Sequence, residues 1–285
     1  MTNFPNWIEA KNHSLWLTED DRDNLKISYR VKEVIYSEQS PIQHVMIVDT
    51  VDFGRTLVLD GVVQTTALDG HIYNEMIVHV PINLHPNPKK VLIIGGGDCG
   101  AAREAAKYKD IERIDMVEID ELVVKACKDH LQEVSGNLSD VRVQFIFTDG
   151  IQFVKEKTAE YDIIIVDSSD PVGPAEQLFE YDFYANIKKA LKLDGIMVCQ
   201  SQSPIFHQDI LKQTSEHIHN LFVHANTYMA VVPTYPGGFW SFTIGSKHHP
   251  IKSGHLREKV TTKYFNEGIF QGCFQLPQFM KDLLE

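Results

Sequence analysis

The chain is short of cysteine, of positive charge and of long apolar runs, and each shortage removes a class of function. Four cysteines (Cys99, Cys127, Cys199 and Cys273) are scattered over 285 residues with no Cys-x-x-Cys pair. That spacing argues against a disulfide framework and against a thiolate zinc site, and it fits a reducing compartment. Lysine and arginine number 27 against 39 aspartates and glutamates, a formal net charge of −12. An acidic surface repels a phosphate backbone and attracts a cationic ligand. No apolar stretch approaches the about 20 residues that span a bilayer, and Met1 to Leu17 carry Glu9, Lys11 and His13 through their only semi-apolar segment. No signal peptide is read there, and a cytoplasmic protein without a membrane partner is expected. Internal repeats and low-complexity tracts are also missing. Of the thirteen histidines, His217 and His219 point to different faces of a helix, His248 and His249 read as an exposed turn, and no His-Glu-x-x-His occurs. No metal is expected.

What is present divides at about residue 68. From Leu25 to Thr66 the chain is rich in β-formers, as in the stretch from Lys26 to Tyr36, His44 to Val48, and Thr56 to Leu59 before the turn Asp60-Gly61. Residues 1–68 are expected to form a small antiparallel β-domain. From 69 to 285 short apolar strands alternate with helices, the pattern of a parallel sheet covered on both faces. The expected strands are Val91–Ile94, Ile114–Val117, Val143–Phe147, Ile163–Val166 and Ile196–Cys199, with helices Ala101–Tyr108, Glu121–Gln132, Ile151–Lys157 and Phe183–Leu193 between them. Asp194-Gly195 reads as the stop after the last of these helices.

The chemistry gathers where these strands end. Val91–Ile94 runs into Gly95-Gly96-Gly97-Asp98-Cys99-Gly100 and then a helix, a turn that lets a ligand approach backbone N–H groups. Such a turn also has purely structural uses. Asp98 weighs against a dinucleotide, since a carboxylate would repel pyrophosphate, and it suits a ligand with a cationic amine. Glu118 ends the next strand, where an acid accepts hydrogen bonds from ribose hydroxyls, or is simply a solvated strand end. Asp149-Gly150 ends the third strand, and the fourth ends in Asp167-Ser168-Ser169-Asp170, followed by a loop ordered by proline and glycine. Capping is the alternative use of Asp170.

Together these pieces resemble the spermidine synthases over essentially the whole chain. The matching segments are Trp16-Leu17-Thr18-Glu19, Leu59-Asp60-Gly61, Tyr73-Asn74-Glu75-Met76, the glycine turn, Val117-Glu118-Ile119-Asp120, Asp149-Gly150, Asp167 to Ala175, and Pro233-Thr234-Tyr235-Pro236. The resemblance implies a Rossmann sheet like that of the S-adenosylmethionine methyltransferases, helices on both faces, preceded by the β-domain. It implies aminopropyl transfer from decarboxylated S-adenosylmethionine, a co-substrate rather than a resident cofactor, to an amine such as putrescine. By the same resemblance Gly95, Gly97 and Gly150 shape the donor site, Asp98 holds the donor's propylamine, Glu118 its ribose and Asp149 its adenine amino group, with Gln43 a further donor contact. Asp167 and Tyr73 take the catalytic positions, and Trp16, Asp170, Gln200 and Tyr235 line the acceptor site. Asp167 to Ala175 starts a loop that closes over the site, and the β-domain forms a homodimer or homotetramer.

The fit is not uniform. Cys99 stands where these enzymes usually have glycine; Ala67-Leu68-Asp69-Gly70-His71 replaces an acidic run; Asn74 replaces His or Gln; and Gln202 sits near a position that is often acidic. These departures remove negative charge beside the tyrosine and bear on which amine is accepted. A methyltransferase using the carboxylated donor, and a weakly active polyamine-binding relative, stay open at this level.

Overall fold

The structure, a computed structural model, describes residues 5–22, 24–136, 138–170 and 173–285. Six strands open the chain: β1 (Ile8–Lys11), β2 (Ser14–Arg22), β3 (Leu25–Gln39), β4 (His44–Thr50), β5 (Gly54–Leu59) and β6 (Val62–Thr66). They form one antiparallel sheet in sequential order. Tight two-residue turns join its ends. Asn12 and His13 (φ 52° and 58°) link β1 to β2, and Asp60 and Gly61 (φ 47° and 88°) link β5 to β6. Positive φ at both positions matches the right-handed twist of the flanking strands. Period-two alternation splits the side chains: Leu17, Tyr29, Met46, Val48 and Val58 form one cluster, Val45, Ile47 and Leu57 another.

The chain continues through α1 (Gly70–Leu84), β7 (Lys90–Gly95), α2 (Gly100–Ala106), β8 (Arg113–Glu118), α3 (Glu121–His130), α4 (Gln132–Ser135), β9 (Val143–Phe147), α5 (Gly150–Lys155) and β10 (Tyr161–Asp167). It ends with α6 (Tyr181–Ala190), β11 (Leu191–Gln200), α7 (Gln208–Leu221), β12 (His224–Val231), β13 (Phe239–Ser246), α8 (Glu267–Gly272) and α9 (Gln278–Leu284). Seven strands make a second sheet in the order β12-β13-β11-β10-β7-β8-β9, parallel from β11 to β9 and antiparallel at β13 and β12. This is the Rossmann-like arrangement of the methyltransferases expected from the sequence. Its core joins Leu92, Ile94, Ile164, Val166, Met197 and Cys199 of the strands to Phe183, Tyr184 and Ile187 of α6 and Ile218 of α7. Several boundaries differ from the sequence reading by one or two residues, and the largest difference falls between α6 and β11. The helix ends at Ala190, not Leu193, because Leu191 is already extended (φ −73°, ψ 142°), and Asp194-Gly195 falls inside β11.

Two compact units result, and they do not follow a single cut at residue 68. The first comprises Met1–His71, Gly97–Cys99 and Asp120–Leu138; the second comprises Ile72–Gly96, Gly100–Ile119 and Ser139–Glu285. The expected division assigned α3 to the parallel sheet. In the structure Val123, Ala126 and Cys127 of α3, with Leu131 and Val134, pack on Val45, Ile47 and Leu57 of the first sheet. No helix among the described residues is long and apolar enough to cross a membrane.

Candidate active site

Within the second unit the glycine turn and the end of β10 are built against each other. Gly95 is the register partner of Asp167, and the Gly96 N–H donates to the Asp167 backbone carbonyl at 3.0 Å. Gly95 and Gly96 both have positive φ (83° and 72°). A Cβ on Gly95 would lie 2.1 Å from the Asp167 carbonyl oxygen, and one on Gly96 3.0 Å from Asp167 Oδ2. Glycine is therefore required here for backbone shape and for the approach of β10, before any ligand is considered.

The Tyr73 hydroxyl, on the first turns of α1, donates to Asp167 Oδ1 at 2.6 Å. Tyr73 is buried, and its ring meets the edge of Tyr235 (centroids 5.9 Å, 74°) and tilts on Phe242 (5.3 Å). Tyr235 packs on Trp240 in turn (4.5 Å). Three residues beyond Asp167, Asp170 Oδ1 accepts from Gln202 Nε2 at 2.7 Å. Gln202 is fully buried and holds a left-handed φ of 71°. Its own N–H donates to Gln200 Oε1 at 3.0 Å, and Gln200 Nε2 reaches the carbonyls of Ser168 (3.3 Å) and Ser169 (3.5 Å). The two glutamines at and just beyond the end of β11 thus brace the chain that follows Asp167. The loop expected to continue to Ala175 includes Pro171 and Val172, which lie outside the described residues.

Glu118 closes β8, with 9% of its surface exposed, and its carbonyl accepts from the Thr148 N–H at 3.1 Å. Asp149 caps α5, accepting from the Ile151 N–H at 2.8 Å. Gly150 is dictated by packing, since a Cβ there would lie 2.5 Å from Ile94 Cγ2. The fully buried Asn74 carboxamide lies against the start of α2, where a Cβ on Gly100 would be 2.1 Å from Asn74 Nδ2. Burial pushes the Cys199 thiol up to about 12, which removes it as a thiolate nucleophile at this edge.

Gln43, Gly97, Asp98 and Trp16 belong to the first unit. Gln43 Nε2 donates to Asp120 Oδ2 at 3.1 Å, and the Ser40 hydroxyl donates to the same oxygen at 2.7 Å. Asp120 Oδ1 meanwhile caps α3 through the Leu122 N–H at 3.1 Å. Asp98 is half-buried beside the buried Cys99, whose φ of 66° is left-handed. A side chain pays about 1–2 kcal/mol for that conformation and glycine does not. Trp16 is half-buried on β2 between Glu9 of β1 and Arg30 of β3. Gly70 leaves room for Thr65, whose Oγ1 would be 2.3 Å from a Cβ at that position.

Three residues matter more than the sequence reading allowed. Asp120 was visible only as part of a motif, yet it organises Ser40, Gln43 and α3. Gln202 was noted as a departure, yet it is the partner of Asp170. Glu75, next to the Tyr73-Asn74 pair and 1% exposed, accepts from the backbone N–H groups of Lys263, Tyr264 and Phe265 at 2.8, 2.8 and 2.7 Å. The signal for it was a carboxylate between apolar helix positions.

Comparison with known proteins points in one direction. Residues 70–254 match the family model of the spermine/spermidine synthase domain, and residues 15–67 that of the spermidine synthase tetramerisation domain. A polyamine aminopropyltransferase from Desulforudis audaxviator is 46% identical over 94% of this chain and 98% of its own. One from Methanocaldococcus jannaschii is 44% identical over 95% of each. Among solved structures, a spermidine synthase in complex with the transition-state analogue AdoDATO superposes with a TM-score of 0.90 at 35% identity, covering 100% of this chain and 99% of that one. The spermidine synthase of Thermotoga maritima gives 0.89 at 34% identity, covering 99% and 97%.

Proposed function

The chain belongs to the spermine/spermidine synthase family, and from that premise we propose that it transfers an aminopropyl group from decarboxylated S-adenosylmethionine to putrescine, releasing spermidine and methylthioadenosine. The observation that carries the reading is the 2.6 Å bond from the Tyr73 hydroxyl to Asp167, on a strand end wedged against the glycine turn.

The donor's methylene is already activated by the adjoining sulfonium, so the difficulty lies with the nucleophile. An aliphatic amine with a pKa of about 10.4 is almost wholly protonated at neutral pH, and freeing its lone pair costs roughly 4–5 kcal/mol. Asp167 accepts the proton as the nitrogen attacks, and Tyr73 holds that carboxylate and orients the amine, a pairing worth about 10²–10⁴ in rate. Holding donor and acceptor in line supplies much of the remainder. Asp170 binds the acceptor's ammonium, oriented by Gln202 and by the brace from Gln200. Tyr235 and Trp16 offer aromatic faces to its methylene chain and charged end.

On the donor side Asp98 takes the propylamine, Glu118 the ribose hydroxyls and Asp149 the adenine amino group, with Gly95, Gly97 and Gly150 giving backbone access. Gln43, tied to Asp120, completes this set. Asp149 already serves as a helix cap, so its donor contact adds to a structural duty. The tetramerisation match at residues 15–67 supports a homo-oligomer, a dimer or tetramer; the four scattered cysteines, with no Cys-x-x-Cys pair, are what favour a reducing compartment such as the cytoplasm.

The test is a product assay: purified protein with decarboxylated or carboxylated S-adenosylmethionine, against putrescine, cadaverine, agmatine and spermidine, with products identified by mass. Spermidine and methylthioadenosine from the decarboxylated donor and putrescine alone are expected. Preference for another amine would tie the acceptor choice to the departures at Asn74 and Gln202. Methylated amine from the carboxylated donor would overturn the reading.

A further inference from the structure

At the edge where the parallel strands begin, away from the site above, three side chains from distant parts of the second unit converge. His85 follows α1, Asp194 lies early in β11, and His249 comes just after β13. His85 Nε2 is 3.7 Å and His249 Nε2 3.9 Å from the same Asp194 oxygen, Oδ2. All three atoms lie within 4.8 Å of one another, and the two imidazoles meet edge to face at 5.6 Å. Both Nε2 atoms are buried without a hydrogen-bond partner. Two such polar atoms aimed at one carboxylate, each just beyond bonding distance, are a costly arrangement with nothing between them to satisfy.

We propose that His85, Asp194 and His249 form a binding site for a zinc-like divalent transition-metal ion. Nitrogen and carboxylate ligands sit at about 2.0–2.2 Å from such an ion, so atoms around a tetrahedral centre are about 3.4 Å apart. The two histidine-to-aspartate separations need to close by only a few tenths of an ångström. Two imidazoles and one carboxylate select zinc, cobalt or nickel over magnesium or calcium, which prefer all-oxygen shells. Access is provided by the exposure gradient: His85 is 2% exposed and forms the floor, while Asp194 at 46% and His249 at 25% open to solvent. Water fills the fourth position.

The tautomer sets the strength. The Asn87 N–H donates to His85 Nδ1 at 3.2 Å, which keeps the neutral ring's proton on Nε2. An ion at Nε2 moves that proton to Nδ1 and gives up this long bond, so binding about 10–100-fold weaker than at a site whose outer hydrogen bond is kept is expected. The neighbouring charges, Lys192 and Asp162, are already paired at 2.9 Å. The ion ties the end of α1, the start of β11 and the segment after β13 together at the edge opposite Asp167. Its effect is on stability, with turnover unchanged.

The experiment uses tag-free, chelator-treated full-length protein titrated with Zn²⁺ by calorimetry, with Co²⁺ as a spectroscopic probe. Saturable binding of about one equivalent per chain, a tetrahedral Co²⁺ absorption band and a raised melting temperature are expected. His249→Ala and Asp194→Ala, both at solvent-accessible positions, should each weaken binding by about tenfold or more and abolish the thermal shift. His219→Ala, on α7, should leave both unchanged. Absence of saturable binding, or equal binding by the wild type and both site variants, would overturn the proposal.

Discussion

Asp115 and Asp162 stand near the starts of β8 and β10, Asp167 and Asp170 at and beyond the end of β10, and the two pairs of acids keep different company. Asp115 is fully buried and takes the Arg113 guanidinium at 2.8 Å and the Tyr161 hydroxyl at 2.8 Å. Asp162 meets the Lys192 ammonium at 2.9 Å and the N–H groups of Lys89 and Lys90 at 2.9 and 2.7 Å. Burial alone would raise the Asp162 carboxyl, but Lys192 and those two N–H groups outweigh it and hold it below the ordinary carboxylate value. At the other edge Tyr73 donates to Asp167, Gln202 to Asp170 and the Ile151 N–H to Asp149. These donors orient carboxylates without cancelling their charge. At one edge of the sheet the acids are paired with basic side chains that serve the fold; at the other, neutral donors orient the carboxylates that the proposed function assigns to a cationic substrate.

The sharpest way to break that contrast is Asp167→Asn. Turnover at saturating donor and amine should fall by about 10²–10⁴ while the melting temperature moves little. Near-normal turnover would remove Asp167 as the proton acceptor and end the contrast there. At the opposite edge Asp162→Asn should do the reverse, lowering stability by about 2 kcal/mol, since Lys192 is exposed enough to turn to water, with kcat preserved. The sign follows from the depressed carboxyl. Its contribution is present above the unfolded value of about 3.9 and is lost as pH falls through the lower folded value. Acid denaturation followed by circular dichroism should therefore show a flatter pH dependence below about pH 4 in the variant than in the wild type.

Asp170→Asn keeps the shape that Gln202 contacts but removes the charge. KM for the amine should rise about tenfold with a smaller change in kcat, and an unchanged KM would demote Asp170 to a loop brace. The smallest effect is expected for Asp149→Asn. Asparagine caps helices as well as aspartate does, so thermal stability should hold while donor KM rises a few-fold. Loss of stability with donor KM unchanged would leave Asp149 a cap and nothing more.

How much of this was readable beforehand depended on whether the information is local. β7, β10 and the second half of β11 are near-continuous apolar runs, so these strands could be placed from the letters alone, as could Glu118 and Asp167 at the ends of β8 and β10. The hairpin of β1 and β2 was missed because its polar residues alternate with few apolar ones and its turn, Asn12-His13, lacks glycine. The helix α3 was assigned to the wrong sheet, since its apolar stripe says that it must cover something but not what. Tyr73 and Asp167 are far apart in the chain, and their pairing came from a family likeness; their 2.6 Å contact is visible only in three dimensions. Asp120 and Glu75 were opaque for the same reason: each serves partners remote in sequence.

The first unit is assembled from three separate stretches, Met1–His71, Gly97–Cys99 and Asp120–Leu138. A single scissor cut or recombination crossover therefore cannot lift it out whole. A fragment ending near residue 71 would expose Val45, Ile47 and Leu57, which α3 now covers. Inheritance of this protein by module shuffling is thereby discouraged: the two units are bound to travel, and to change, as one gene's length.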